Sequence, residues 1–168
     1  MATTTAQALA ERIQYQTAGG EKVLNAAGNQ SDAVFGNPQE VLSVRGNVAD
    51  IAHTNHLWLL DAAAAGALQG ELPPALRRTR PTSIEGAVQF LAPRDTDSAE
   101  QALTHLRQVN HQIASMVEGL PDSALEKPVE VTFYGSKSLR DLLFIIIEHG
   151  SLHLGQAWGI LKGKGIAS

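Results

Sequence analysis

The sequence predicts an all-α fold: a four-helix bundle with a long crossover connection, one short auxiliary helix and a short extended segment at about 129–133. Two observations carry this. Four long stretches place apolar residues at three-and-four spacing, the pattern of helices with one core-facing stripe. Only VEVTFYG, ending at Gly135, alternates apolar and polar residues with β-branched character, and no second convincing strand accompanies it. A lone extended segment is therefore expected to lie across the bundle, and the whole chain, 1–168, to form a single domain.

The first helix is expected over residues 3–27, with Ala6, Leu9, Ile13, Thr17, Gly20, Leu24 and Ala27 on one face. Gly19 and Gly20 weaken it by roughly 1 kcal/mol each relative to alanine, as a local irregularity or where a neighbour approaches closely. Gly28 and Asn29 end it, and a polar connection with a short turn near Pro38–Leu42 follows. The second helix runs from about Val44 to Leu68, with Ala49, His53, Leu57, Leu60 and Ala64 on its stripe and His56 at the stripe's edge.

QGELPP at 69–74 breaks the pattern, and RRTRP forms a basic loop. Thr82 with Glu85 looks like a capping box opening the auxiliary helix through Leu91, and Asp97 with Glu100 like one opening the third long helix. That helix carries Ala99, Ala102, Leu106, Val109, Ile113 and Val117 inward, and leaves His105 and His111 on the surface. Leu120-Pro121 ends it. Ser138 with Asp141 caps the last helix, which ends around Gly163. Residues 142–147 are apolar on every side, so this helix is either surrounded or covered by a second subunit, and a homodimer is the expected assembly.

Composition narrows the function. Hydrophobic content of 43% and charged content of 18% are those of a globular protein. A net charge of −4, with no basic cluster beyond RRTR at 77–80, argues against a nucleic-acid partner. No apolar run approaches the ~18 residues of a membrane span, and the N-terminus lacks a secretory pattern, so a cytoplasmic location is expected. With no cysteine, any metal must be held by His, Asp or Glu.

The last helix places His149 and His153 four residues apart on the stripe Leu139, Leu142, Leu143, Ile146, Ala157, Ile160, Leu161. Imidazoles on a dry face need a hydrogen-bond partner or a metal. His53 is a third stripe histidine, on another helix, whereas His56 sits ~60° around from it and could replace or support it. Three neutral imidazoles suit zinc or nickel, and three protein ligands leave a position open, where a bound water or thiol would become a nucleophile near neutral pH. Gln156 and Asp50 are candidates to support the site, Asp50 by accepting the second N–H of His53. Glu148 points ~100° away from His149 and is not expected to be a ligand.

The histidine of IAHTNHLWLL combined with HGSLHLGQAWGILKGKGI resembles the DinB-like superfamily of metal-binding four-helix bundles, over most of the chain. That resemblance implies metal ligands at His53, His149 and His153. It also implies metal-dependent chemistry on a small-molecule substrate, as in relatives that are thiol-dependent transferases or isomerases, with a low-molecular-weight thiol as co-substrate. The chain departs from the family pattern at Leu152, where the first of two adjacent histidines is usual, and at Leu154, where an arginine is usual. A hydrolase, or a non-catalytic bundle tied together by a structural metal, are the alternative expectations.

Overall fold

The computed structural model describes residues 4–32 and 42–167. The turn expected near Pro38 lies outside them. Five α-helices and a small two-stranded sheet make up the described chain: α1 (Thr5–Ala27), α2 (Val44–Ala64), α3 (Ile84–Leu91), α4 (Ala99–Val117), β1 (Pro128–Val131), β2 (Gly135–Ser138) and α5 (Leu139–Gly163). The protein is thus mostly helical, as its periodicity predicts. None of the described helices is long and apolar enough to cross a membrane.

Local chemistry explains where the helices begin. Thr4, Ser98 and Ser138 each open a helix with a reciprocal capping box, to Gln7, Gln101 and Asp141 respectively. Two expected caps shift by one residue. Ser83, not Thr82, accepts the N–H of Gly86 at the start of α3, and Ser98, not Asp97, opens α4. A serine hydroxyl serves this purpose as well as an aspartate, so adjacent candidates cannot be separated by type alone. Helix α2 stops at Ala64, four residues before the expected Leu68, and Gly66 follows it at φ 63°.

The extended segment is the larger correction. Pro128–Val131 does not cross the helices alone but pairs antiparallel with Gly135–Ser138, in the register Val129 to Lys137 and Val131 to Gly135. The second strand, GSKS, has no alternating apolar residues to announce it. Its turn is held from α2: Asp61 accepts from the Thr132 N–H at 2.7 Å and from the Thr132 hydroxyl at 3.1 Å, and the Trp58 indole donates to the Thr132 carbonyl at 3.2 Å.

Helices α1 and α2 each pack against both α4 and α5. Their apolar side chains form two clusters. One gathers Ile13, Leu57, Val109, Ile113, Leu143 and Ile146; the other gathers Val23, Val48, Ile51, Leu106, Ala157 and Ile160. Buried polar side chains lie among them. Gln16 donates to the Ile146 carbonyl at 2.8 Å, and Asn55 donates to Gln16 Oε1 at 3.0 Å and to Asn110 Oδ1 at 2.8 Å. Asn110 donates in turn to the Ile13 carbonyl at 3.1 Å and to the Thr17 hydroxyl at 3.2 Å. Four helices are joined by this one buried network.

Glycines on α1 and α5 let it close. A Cβ on Gly19 would stand 2.6 Å from Leu154 Cδ1, and one on Gly20 would stand 2.9 Å from Leu106 Cδ2, so the glycine pair marks a close approach. At Gly150 a Cβ would fall 2.3 Å from Gln16 Nε2, an atom already committed to the Ile146 carbonyl. Gly150→Ala should therefore cost about 1–3 kcal/mol by displacing Gln16 from its partners. A thermal or urea unfolding curve checks it, and a wild-type midpoint would show that the network yields without loss.

Candidate metal centre

Helix α2 carries the centre. Nearly every residue from Val44 to Ala62 is buried, including Asn47, Asp50, His53, Asn55, His56 and Asp61. A helix buried on all sides is usually apolar all round. The six just named each instead meet a partner from another element, and those of Asn47 and Asp50 build the site.

Asp50 is the meeting point. Its Oδ2 lies 3.2 Å from His149 Nε2 and 3.1 Å from His153 Nε2, and its Oδ1 pairs with Arg94, which the turn Ala92–Asp95 brings in. Burial alone would raise the Asp50 carboxyl. The hydrogen-bond contact with His149, the Arg94 guanidinium, and the imidazoles where acid protonates them outweigh it and hold the carboxyl below its ordinary value. Asp50 is thus an anion at neutral pH.

The His153 ring is fixed in one tautomer. Asn47 Nδ2 donates to the carbonyls of Leu42 and Ser43 at 3.2 and 2.9 Å, so its Oδ1 must be the atom 2.9 Å from His153 Nδ1. An amide oxygen only accepts, so Nδ1 carries the proton. Burial lowers the His153 pKa to about 4, so the ring is neutral and Nε2 presents a lone pair. That lone pair faces a carboxylate oxygen at 3.1 Å. Two acceptors at this distance repel unless a cation lies between them. His149 adds to the imbalance, because its Nδ1 is buried without a partner among the described residues.

Ligand atoms of Asp50, His149 and His153 lie within 4.8 Å of one another. The expected set of His53, His149 and His153 is therefore assembled differently. His153 and His149 come together as the spacing predicts, but Asp50 stands between them, and it accepts no proton from His53. His53 turns toward the start of α4, where its Nε2 lies 2.7 Å from Asp97 Oδ2. One helical turn separates Asp50 from His53, so periodicity put both near the right face without saying which would reach α5.

His105 is the residue sequence reasoning missed. Read as a surface position, it is half-buried, 4.5 Å from the His53 ring centroid, with its Nε2 at 2.9 Å from His56 Nδ1. His56 is fully buried, and its Nε2 donates to the Leu76 carbonyl at 3.0 Å. Burial lowers His56 to a pKa of about 4 and His105 to about 3. No periodic signal marks His105, because its partners come from α2 and the Asp97 turn. His111, Glu148 and Gln156 are exposed, as is Leu152, whereas Leu154 packs on Gly19.

In metal-free protein these neutral histidines make folding acid-sensitive. The unfolded chain takes up protons at each ring near pH 6.5, the folded chain only near 4 at His56 and 3 at His105. Their contribution to stability is complete above about pH 6.5 and is lost as pH falls through that window, at ~1.4 kcal/mol per unit of difference. His56→Gln should flatten the fall in melting temperature between pH 6.5 and 4 in the presence of a chelator. An unchanged slope would refute the buried neutral state.

The site residues drawn from α2 and α5 lie within a segment of recognisable ancestry. Residues 22–157 match the family model of the DinB superfamily. No curated protein and no solved structure matches the chain. The match spans most of the 168 residues and includes Asp50, His53, His149 and His153, and the chain belongs to the DinB superfamily.

Proposed function

We propose that the protein is a metal-dependent enzyme acting on a small electrophilic molecule, with Asp50, His149 and His153 as the protein ligands of a divalent metal. The observation that carries this reading is the opposed pair of acceptors, His153 Nε2 and Asp50 Oδ2, 3.1 Å apart with the His153 tautomer held by Asn47. Two imidazoles and one carboxylate suit zinc, nickel and similar borderline ions. Bound there with three protein ligands, such an ion keeps a position open, lowers the pKa of a water or thiol and polarises an electrophile.

The chain's own residues divide the remaining work. Arg94 engages the far oxygen of Asp50 and compensates its charge, leaving Oδ2 for the metal. Asn47 orients His153, as partners of metal-binding histidines commonly do. The Trp58 ring lies edge-on to His149 with centroids 5.2 Å apart, and Tyr134 of the hairpin lies 5.8 Å from Trp58. Trp58 is fully enclosed and backs His149 from within, and Tyr134, 48% exposed, is the ring of the pair that a substrate can meet. The family resemblance favours a low-molecular-weight thiol as co-substrate and hence a transferase.

Hydrolysis is the second reading, favoured by one observation. A carboxylate with two histidines is also a donor set of hydrolytic zinc enzymes. The two separate on whether turnover requires a thiol. Self-association through α5, where Phe144 is 47% and Leu152 59% exposed, is the assembly we propose, to be measured by sedimentation.

After loading with zinc or nickel, Asp50→Asn and His149→Ala should each weaken metal binding at least ~100-fold, and Asn47→Ala about 10–100-fold. His153→Ala should abolish metal-dependent consumption of an electrophile such as chlorodinitrobenzene with glutathione, while its circular dichroism stays native. Metal retention equal to wild type in Asp50→Asn and His149→Ala would sink the assignment. A melting temperature raised by metal without any turnover would instead indicate a structural tie between α2 and α5.

A further inference from the structure

A second group of ligating side chains lies beside the first and shares none of its residues. Ligand atoms of His53, Asp97 and His105 also lie within 4.8 Å of one another. Three elements meet here: α2 brings His53, the turn before α4 brings Asp97, and α4 brings His105. Asp97 is available because Ser98 caps the helix in its place.

The hydrogen bonds leave lone pairs at this group that no partner among the described residues uses. The Leu76 carbonyl can only accept, so His56 Nε2 carries the proton and His56 Nδ1 the lone pair. His105 Nε2, 2.9 Å from that lone pair, must then be the N–H donor. Its Nδ1 consequently holds a lone pair in the neutral ring. His53 contributes a separate imbalance. The residue is 4% exposed, its Nε2 faces Asp97 at 2.7 Å, and its Nδ1 is buried without a partner among the described residues. With the proton on Nε2 that nitrogen donates to Asp97 and Nδ1 keeps an unmet lone pair; with the proton on Nδ1 neither nitrogen is met.

We infer that His53, Asp97 and His105 form a second divalent-cation site, separate from Asp50, His149 and His153. Two imidazoles and a carboxylate take a borderline ion such as zinc, nickel or cobalt, in preference to calcium or magnesium, which seek mostly oxygen. His56 is a positioning residue of this site: anchored on the Leu76 carbonyl, it fixes which His105 nitrogen is free. Asp50 and His53 are one turn apart on α2, so the two sites are neighbours on that helix.

The test is metal stoichiometry. Untagged protein is equilibrated with zinc against a weak chelator, then measured by elemental analysis, with cobalt absorption as a second readout. Wild type should hold two ions per chain, and His105→Ala and His149→Ala one each. The two variants should lose different parts of the cobalt spectrum, and the double variant should hold none. Asp97→Asn, which leaves the Ser98 cap intact, should match His105→Ala and serves where that variant folds poorly. His56→Phe should weaken this ion about tenfold and leave the other unchanged. One ion per chain in wild type, lost in His149→Ala and kept in Asp97→Asn, overturns the second site while the proposed function stands. One ion lost in Asp97→Asn and kept in His149→Ala has the opposite meaning.

Discussion

Everything in the molecule depends on buried hydrogen bonds that the four long helices must complete together. Gln16, Asn55 and Asn110 join α1, α2, α4 and the Ile146 carbonyl of α5 in one connected set. Each bond contributes about 1 kcal/mol net, yet a buried group left unmet costs about 1–3 kcal/mol. A helix sliding by one turn would strand several of them at once. Apolar side chains tolerate such a slip far better. The polar network therefore fixes the register of the helices, and with it the meeting of Asp50 with His149 and His153.

Helix α2 concentrates the consequences. It presents Asn47 and Asp50 to α5, His53 to the turn before α4, Asn55 to α1 and α4, His56 to α4 and the Leu76 segment, and Asp61 to the hairpin. Asp61 also receives Arg80 at 2.6 Å, so an anion fully enclosed on the helix is neutralised by the basic loop that follows it. A buried polar residue that finds no partner is destabilising. Here the partners arrive mostly from connections, which is why the excursion between α2 and α4 is structural as well as long.

The two departures from the family pattern have different physical settings. Leu154, where the family resemblance leads one to expect an arginine, lies against Gly19, in a space that any side chain at that glycine would fill. The substitution is therefore matched by close packing between α5 and α1. Leu152 is 59% exposed and lies outside the site.

Periodicity in the sequence determined the helices, because a core-facing stripe is a property of one segment and can be read along it. The α5 stripe from Leu139 to Leu161 is buried as predicted, with the two histidines partly enclosed, and His149 and His153 face one partner because they lie one turn apart. Other features depended on what a segment meets. GSKS is a strand only because Pro128–Val131 lies beside it, and Asp97 is free only because the neighbouring serine caps the helix. The choice between Asp50 and His53 for the α5 histidines was also tertiary. Both lie within one turn of α2, and the helix-to-helix register, set by side chains far apart in the chain, decided which one reaches across.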